Sequence, residues 1–90
     1  MSAVSRTVRI ENRRGLHARA SAKFVTLAST QSVSLTVEKD GASVTATSIM
    51  GLMMLGAAKG DSIVIRAEGD GAEDAVAALA QLVADRFGEE

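Results

Sequence analysis

The chain contains no cysteine, proline, tryptophan or tyrosine, and only one histidine. Without cysteine there is neither a disulfide scaffold nor a thiolate zinc site. A metal would be left to one imidazole and carboxylates, so no metal or cofactor is expected. Cysteine usage of this kind is compatible with a cytoplasmic location, which is the expectation here. With Phe24 and Phe87 as the only aromatics, stacking platforms are scarce and nucleic-acid binding is not expected. No apolar run approaches the roughly 18 residues of a membrane span. The longest, Ile49 to Ala58, is broken by Gly51 and Gly56, and the opening MSAVSRTVRI is too polar for a signal peptide.

What remains is a small globular composition: 90 residues, 47% hydrophobic and 23% charged. That is one domain, expected to span residues 1–90. Surface scaling gives about 5,000 Å² folded against about 13,500 Å² unfolded, enough burial for an independent fold. A nucleotide domain beside a substrate domain would not fit. The net charge of −1 conceals a split. Residues 1–23 carry Arg6, Arg9, Arg13, Arg14, Arg19 and Lys23 against Glu11, for +5. Residues 61–90 carry eight acids against Arg66 and Arg86, for −6, and the middle is balanced. A local basic face is implied, not a basic protein.

Val4, Val8 and Ile10 oppose Thr7 and Arg9, so residues 4–10 read as a half-buried strand. Ser21, Phe24, Val25 and Ala28 then form a helical stripe opposite Arg19, Lys23, Thr26 and Thr30, predicting an amphipathic helix over 18–29. Val33, Leu35 and Val37, then Val44 and Ala46, alternate with polar residues across Asp40-Gly41, a strong hairpin signal. Ile63, Ile65 and Ala67 mark a fourth strand. Val76, Leu79, Ala80, Val83 and Phe87 mark a last helix, with Asp70 and Glu73 spaced as in a capping box. A short helix is expected around 48–54. The order is β-α-β-β-α-β-α. Each strand has one polar face, so the helices should cover one side of an antiparallel four-stranded sheet, an α+β open-faced sandwich.

The lone histidine lies in Asn12-Arg13-Arg14-Gly15-Leu16-His17-Ala18-Arg19, where the chain leaves the first strand and enters the first helix. No Ser, Thr, Asp or Asn stands at the expected cap, so the first helical N–H groups lack an obvious local acceptor. Such a terminus attracts anions, and Arg13, Arg14 and Arg19 raise the positive potential around it. His17 either caps the helix or, as a neutral exposed imidazole beside an anion site, acts as a nucleophile toward phosphorus. In the second case the helix N–H groups and the Arg19 guanidinium would receive the phosphoryl group. A Ser-His-Asp hydrolase is not supported, since no G-x-S-x-G elbow is present.

Gly15-Leu16-His17-Ala18-Arg19 resembles the active-site motif of the HPr family, histidine phosphocarriers of the bacterial phosphoenolpyruvate-dependent phosphotransferase system. The resemblance spans nearly the whole chain, including Ser48-Ile49-Met50 and Leu55-Gly56. It implies that His17 accepts phosphate on Nδ1 from enzyme I and passes it to an enzyme IIA domain, with Arg19 neutralising the phosphate. The chain would then be a carrier, not an enzyme. The family has Pro then Ala after this arginine, where Ala20 and Ser21 stand here. That change removes no phosphate ligand, and leaves the sugar branch and a nitrogen-related regulatory branch both open. A module that senses an anion at the same helix start without covalent transfer is the competing class.

In the second helix, Ile49, Leu52 and Leu55 can face the core, leaving Met50, Met53 and Met54 on an adjoining stripe. Those methionines either pack inward or form an adaptable docking patch. A carrier that meets donor and acceptor favours docking, and a monomer is expected. Ser48 sits where a helix cap belongs. It also matches the family's regulatory serine, which implies an HPr kinase as a further partner. Gly51 to Gly56 has P-loop spacing, but Ala57 follows where lysine is required.

Overall fold

A computed structural model describes residues 3–89, with a surface of 5114 Å². Its elements are β1 (Ala3–Arg9), α1 (Ala18–Ser29), β2 (Leu35–Lys39), β3 (Ala42–Thr45), α2 (Ile49–Met54), β4 (Ser62–Glu68) and α3 (Ala72–Ala84). A short turn of 3-10 helix, Arg86–Gly88, follows α3. The strands form one sheet in the order β1-β4-β2-β3, with every pair antiparallel. The expected α+β architecture is therefore present.

Strand alternation decides which face is covered. On β4, Ile63, Ile65 and Ala67 are buried while Ser62, Arg66 and Glu68 are exposed. Leu35 and Val37 of β2 join the buried face. Over it, α3 lies on β1 and β4, α2 sits beside β3, and α1 packs between the two helices. Asp40 and Gly41 close the β2–β3 hairpin with φ of 51° and 86°. Positive φ at both central residues matches the right-handed twist of the flanking strands. Phe24 and Phe87 are both fully buried at the centre of the core, so neither offers a surface for base stacking. No helix among the described residues is long and apolar enough to cross a membrane.

Three local expectations need correction. Phe87 is buried, but not as the last rung of α3: the helix ends at Ala84, and Arg86 and Phe87 both take φ of 56°. Left-handed backbone costs an ordinary residue roughly 1–2 kcal/mol. Burying a phenylalanine contributes about 1.5–3 kcal/mol, enough to offset the strain at Phe87. Asp70 does not cap α3. Gly71, with φ of 88°, is the N-cap and makes no side-chain cap bond, while Glu73 and Asp74 lie in the first turn, where the helix dipole favours them. Ile49 does not face the core; it is 41% exposed. The six-residue α2 packs on α1 and β3 and buries only the Leu52 and Leu55 side of its surface. Strand bounds differ from expectation by one or two residues, with Val33 and Ala46 falling just outside β2 and β3.

Candidate functional site

His17 is the N-cap of α1, in extended backbone with φ of −74° and ψ of 178°. Because no hydroxyl or carboxylate stands there, the imidazole does the capping: the Arg19 backbone N–H donates to His17 Nδ1 at 3.2 Å. The cap therefore falls on Nδ1, the nitrogen that the resemblance expects to take the phosphate. Only an unprotonated Nδ1 can accept that N–H. The length is at the long end for an N–H donor, so the bond orients the ring without holding its lone pair tightly. The opposite ring nitrogen, Nε2, lies 2.7 Å from Glu89 Oε2. With Nδ1 accepting, Nε2 is the nitrogen that carries the proton and donates to the carboxylate.

The imidazole is less exposed than expected, its side chain retaining 16% of its accessible surface, because Glu89 covers the Nε2 edge. Around it is an open depression of ≈ 430 Å³ lined by Arg13, Arg14, His17, Arg19 and Glu89. Arg13, Arg14 and Arg19 are exposed, as the sequence pattern implies, and surround the start of α1 with positive charge. The first-turn N–H groups have no helical acceptor and add their partial charge to the same space. Such an arrangement can receive an anion beside an imidazole nitrogen.

The loop that carries His17 is held from both sides. Leu16 N–H donates to the Ala57 carbonyl at 2.9 Å, tying the loop to the segment just past α2. Gly15, with φ of +65°, passes so close that a Cβ there would meet the Ala57 carbonyl oxygen and lie 2.9 Å from Ala58 Cα. Ser21, standing where the family motif has alanine, donates through its hydroxyl to the Leu16 carbonyl at 3.2 Å. The buried Asn12 amide donates to the Gly15 carbonyl at 2.8 Å and to Glu89 Oε1 at 3.1 Å. Its Oδ1 is buried without a partner among the described residues. An unmet acceptor costs roughly 1–3 kcal/mol, which the two bonds donated by the same amide must offset.

Asn12 and Glu89 are the residues that sequence reasoning missed. Burial alone would raise the Glu89 carboxyl, but hydrogen bonds from Asn12 and His17, and then the charges of His17 and Lys23, outweigh it and hold the group below the usual carboxylate range. An acid from the negative end of the chain therefore stands inside the basic face.

At the other end of α1's neighbour, Ser48 is the N-cap of α2, its hydroxyl oxygen accepting from Gly51 N–H at 2.9 Å. Met50, Met53 and Met54 are 72%, 44% and 81% exposed, and Ile49 extends the patch they form. Since α2 packs on α1, this apolar surface flanks the helix that begins at His17. No cluster of three or more metal-binding side chains occurs among the described residues.

The chain is similar to known proteins over nearly its full length. The family model described as the PTS HPr component phosphorylation site matches residues 4–85. The phosphocarrier protein HPr of Cupriavidus necator is 42% identical over 86 residues, covering 96% of this chain and 97% of its own. The phosphoryl donor subunit DhaM of the dihydroxyacetone kinase of Escherichia coli is 39% identical over 85 residues, 94% of this chain but 18% of that protein. Among solved structures, HPr of Thermoanaerobacter tengcongensis superposes with a TM-score of 0.89 at 48% identity, covering 100% of this chain and 99% of its own. HPr of Bacillus anthracis gives 0.87 at 41% identity, covering 92% and 99%. The family model over residues 4–85, HPr relatives matched over nearly their whole length and the shared fold, with a capping imidazole in an arginine-lined hollow, place the chain in the HPr family of phosphotransferase-system phosphocarriers.

Proposed function

We propose that this chain relays phosphate through Nδ1 of His17, taking it from enzyme I and giving it to an enzyme IIA domain. The observation that carries the reading is the position of Nδ1: it accepts the Arg19 N–H in the first turn of α1, within a hollow lined by three arginines. The Nδ1 lone pair attacks phosphorus, and the bond to the donor breaks with its electron pair leaving to the donor. The Arg19 N–H, released from its long bond to Nδ1, turns to a phosphoryl oxygen. The Arg19 guanidinium neutralises the charge. In the onward step the N–P electron pair returns to Nδ1.

Met50, Met53 and Met54, with Ile49, form the surface against which donor and acceptor dock in turn, and the acting species is a monomer in the cytoplasm. Unbranched, polarisable side chains suit a surface that must fit more than one partner. The likeness to the phosphoryl donor subunit of a dihydroxyacetone kinase supports an acceptor outside sugar transport, and a nitrogen-related regulatory branch stays the alternative to the sugar branch. Ser48 is the proposed regulatory serine, open to an HPr kinase. A phosphate there adds about −1.5 to −2 charge at a helix start, which the helix tolerates, but beside an apolar docking patch, which an acidic partner does not.

The test is reconstitution with phosphoenolpyruvate, enzyme I and an enzyme IIA domain. One acid-labile, alkali-stable phosphate is expected on the chain, followed by its passage to enzyme IIA. Reversible phosphate binding with no covalent label would favour the anion-sensing class. Arg19→Ala is expected to slow transfer while circular dichroism stays unchanged. A charge-assisted hydrogen bond is worth about 1.5–3 kcal/mol, which corresponds to roughly ten- to hundredfold in rate. An unchanged rate would remove Arg19 from the site. Ser48→Asp is expected to raise the KM for enzyme I several-fold while leaving the unfolding midpoint near that of the wild type, measured by steady-state kinetics and urea titration. Equal KM values would argue against regulation at this position.

A further inference from the structure

Glu89 stands where an anion-receiving site has no use for a negative charge. A carboxylate beside an incoming phosphoryl group is repulsive, yet this one is tied in place at several points. Its side chain is 18% exposed. Both carboxylate oxygens accept, Oε2 from His17 Nε2 at 2.7 Å and Oε1 from Asn12 at 3.1 Å. Asn12 is itself fixed, because its other amide N–H is spent on the Gly15 carbonyl in the His17 loop. The tail that delivers Glu89 is also anchored. Phe87 is buried, Lys23 Nζ donates to the Phe87 carbonyl at 2.7 Å, and Glu89 N–H donates to the Arg86 carbonyl at 2.8 Å. Two non-glycine residues in left-handed backbone turn this tail toward His17. Strained backbone of that kind persists only where the surroundings over-determine it.

We propose that Glu89 is a positioning residue for His17, holding the ring proton on Nε2 so that Nδ1 stays bare, and balancing the charge the ring acquires when Nδ1 carries phosphate. The proposal rests on the reading of His17 as the phosphoryl acceptor. The carboxylate touches the ring edge opposite Nδ1, so it faces the imidazole and not the phosphoryl group. When Nδ1 forms its bond to phosphorus, Nε2 keeps its proton and the ring becomes cationic. Glu89 then lies against an imidazolium, as the buried aspartate does in a serine-protease triad. When the N–P bond breaks, its electron pair returns to Nδ1 and the neutral Nε2–H tautomer is restored. No proton is gained or lost in either direction. A protonated Nε2 also makes the ring a better leaving group than an imidazolate, which keeps the phosphate transferable.

Full-length wild type, Glu89→Ala and Glu89→Gln separate these roles. Nitrogen-15 NMR of the His17 ring reads the tautomer without any phosphate. The wild type is expected to show the proton on Nε2, and Glu89→Ala a mixture of both tautomers. Transfer from enzyme I should fall roughly ten- to hundredfold in Glu89→Ala, the scale seen when a carboxylate that orients a metal-binding imidazole is lost. Glutamine can accept at only one of the two positions that glutamate fills and carries no charge, so Glu89→Gln should lie between. It also keeps the side chain's volume should alanine loosen the tail. Wild-type tautomer and wild-type rate in both variants would overturn the proposal. If the wild type takes up no phosphate at all, it is the acceptor reading that falls, and the tautomer measurement still decides what Glu89 does to the ring.

Discussion

His17→Ala is expected to take up no acid-labile phosphate from phosphoenolpyruvate and enzyme I, under conditions where the wild type is fully labelled. The chain holds no second histidine to receive it. The fold should survive the change. His17 accepts a cap bond at Nδ1 and donates one from Nε2 to Glu89, and neither lies in the hydrophobic core. Losing a helix N-cap costs typically about 1 kcal/mol, a modest part of the roughly 5–15 kcal/mol that a small domain has. The result should be a protein with native circular dichroism, a slightly lowered unfolding midpoint and no label. Acid-labile label persisting in this variant would mean that another residue accepts the phosphate.

Gly15→Ala should have the largest effect on stability among the glycine positions near the site. Two penalties coincide there. The backbone has φ of +65°, and the added methyl would be driven into the Ala57 carbonyl and onto Ala58 Cα. That backbone cannot easily retreat, because the same Ala57 carbonyl accepts from Leu16 N–H. Left-handed alanine alone costs roughly 1–2 kcal/mol, and overpacking against fixed atoms adds typically about 1–3 kcal/mol. The sum is a large fraction of the total stability, and the strain falls on the loop that holds His17. Gly41 and Gly56 also have positive φ, but a Cβ at either meets nothing within 4 Å. Alanine there should incur the first penalty only. Urea unfolding of the three variants checks this, and Gly15→Ala as stable as Gly41→Ala would show that the loop yields where the packing says it cannot.

Much of this was legible because local chemistry and tertiary structure agree. The bounds of α1 follow from a stripe of Ser21, Phe24 and Ala28 set against Arg19, Lys23 and Thr26, all of which the fold respects. Asp40-Gly41 names its own turn. The site announces itself through an omission, a helix start with no ordinary cap, which the imidazole fills. The illegible parts depend on contacts far apart in sequence. Phe87 fits the apolar spacing of α3, so the periodicity carries the helix through a point where Arg86 and Phe87 in fact turn left-handed. That turn is what returns Glu89 to His17, 72 residues away in the chain. Asn12 reads as an ordinary loop asparagine, and only the packed structure shows it buried between Gly15 and Glu89. Ile49 is apolar at the right spacing, but α2 is too marginal an element to bury its first turn.

In the proposed relay a covalent phosphoryl group resides on one nitrogen of one side chain. The most direct measurement is to phosphorylate the wild-type chain with phosphoenolpyruvate and enzyme I, then locate the group by intact mass, peptide fragmentation and phosphorus–nitrogen coupling in the His17 ring. The expected result is a single phosphate, stable in alkali and lost in acid, bonded to Nδ1 of His17. Phosphate on Nε2, on another residue, or held without a covalent bond would contradict it.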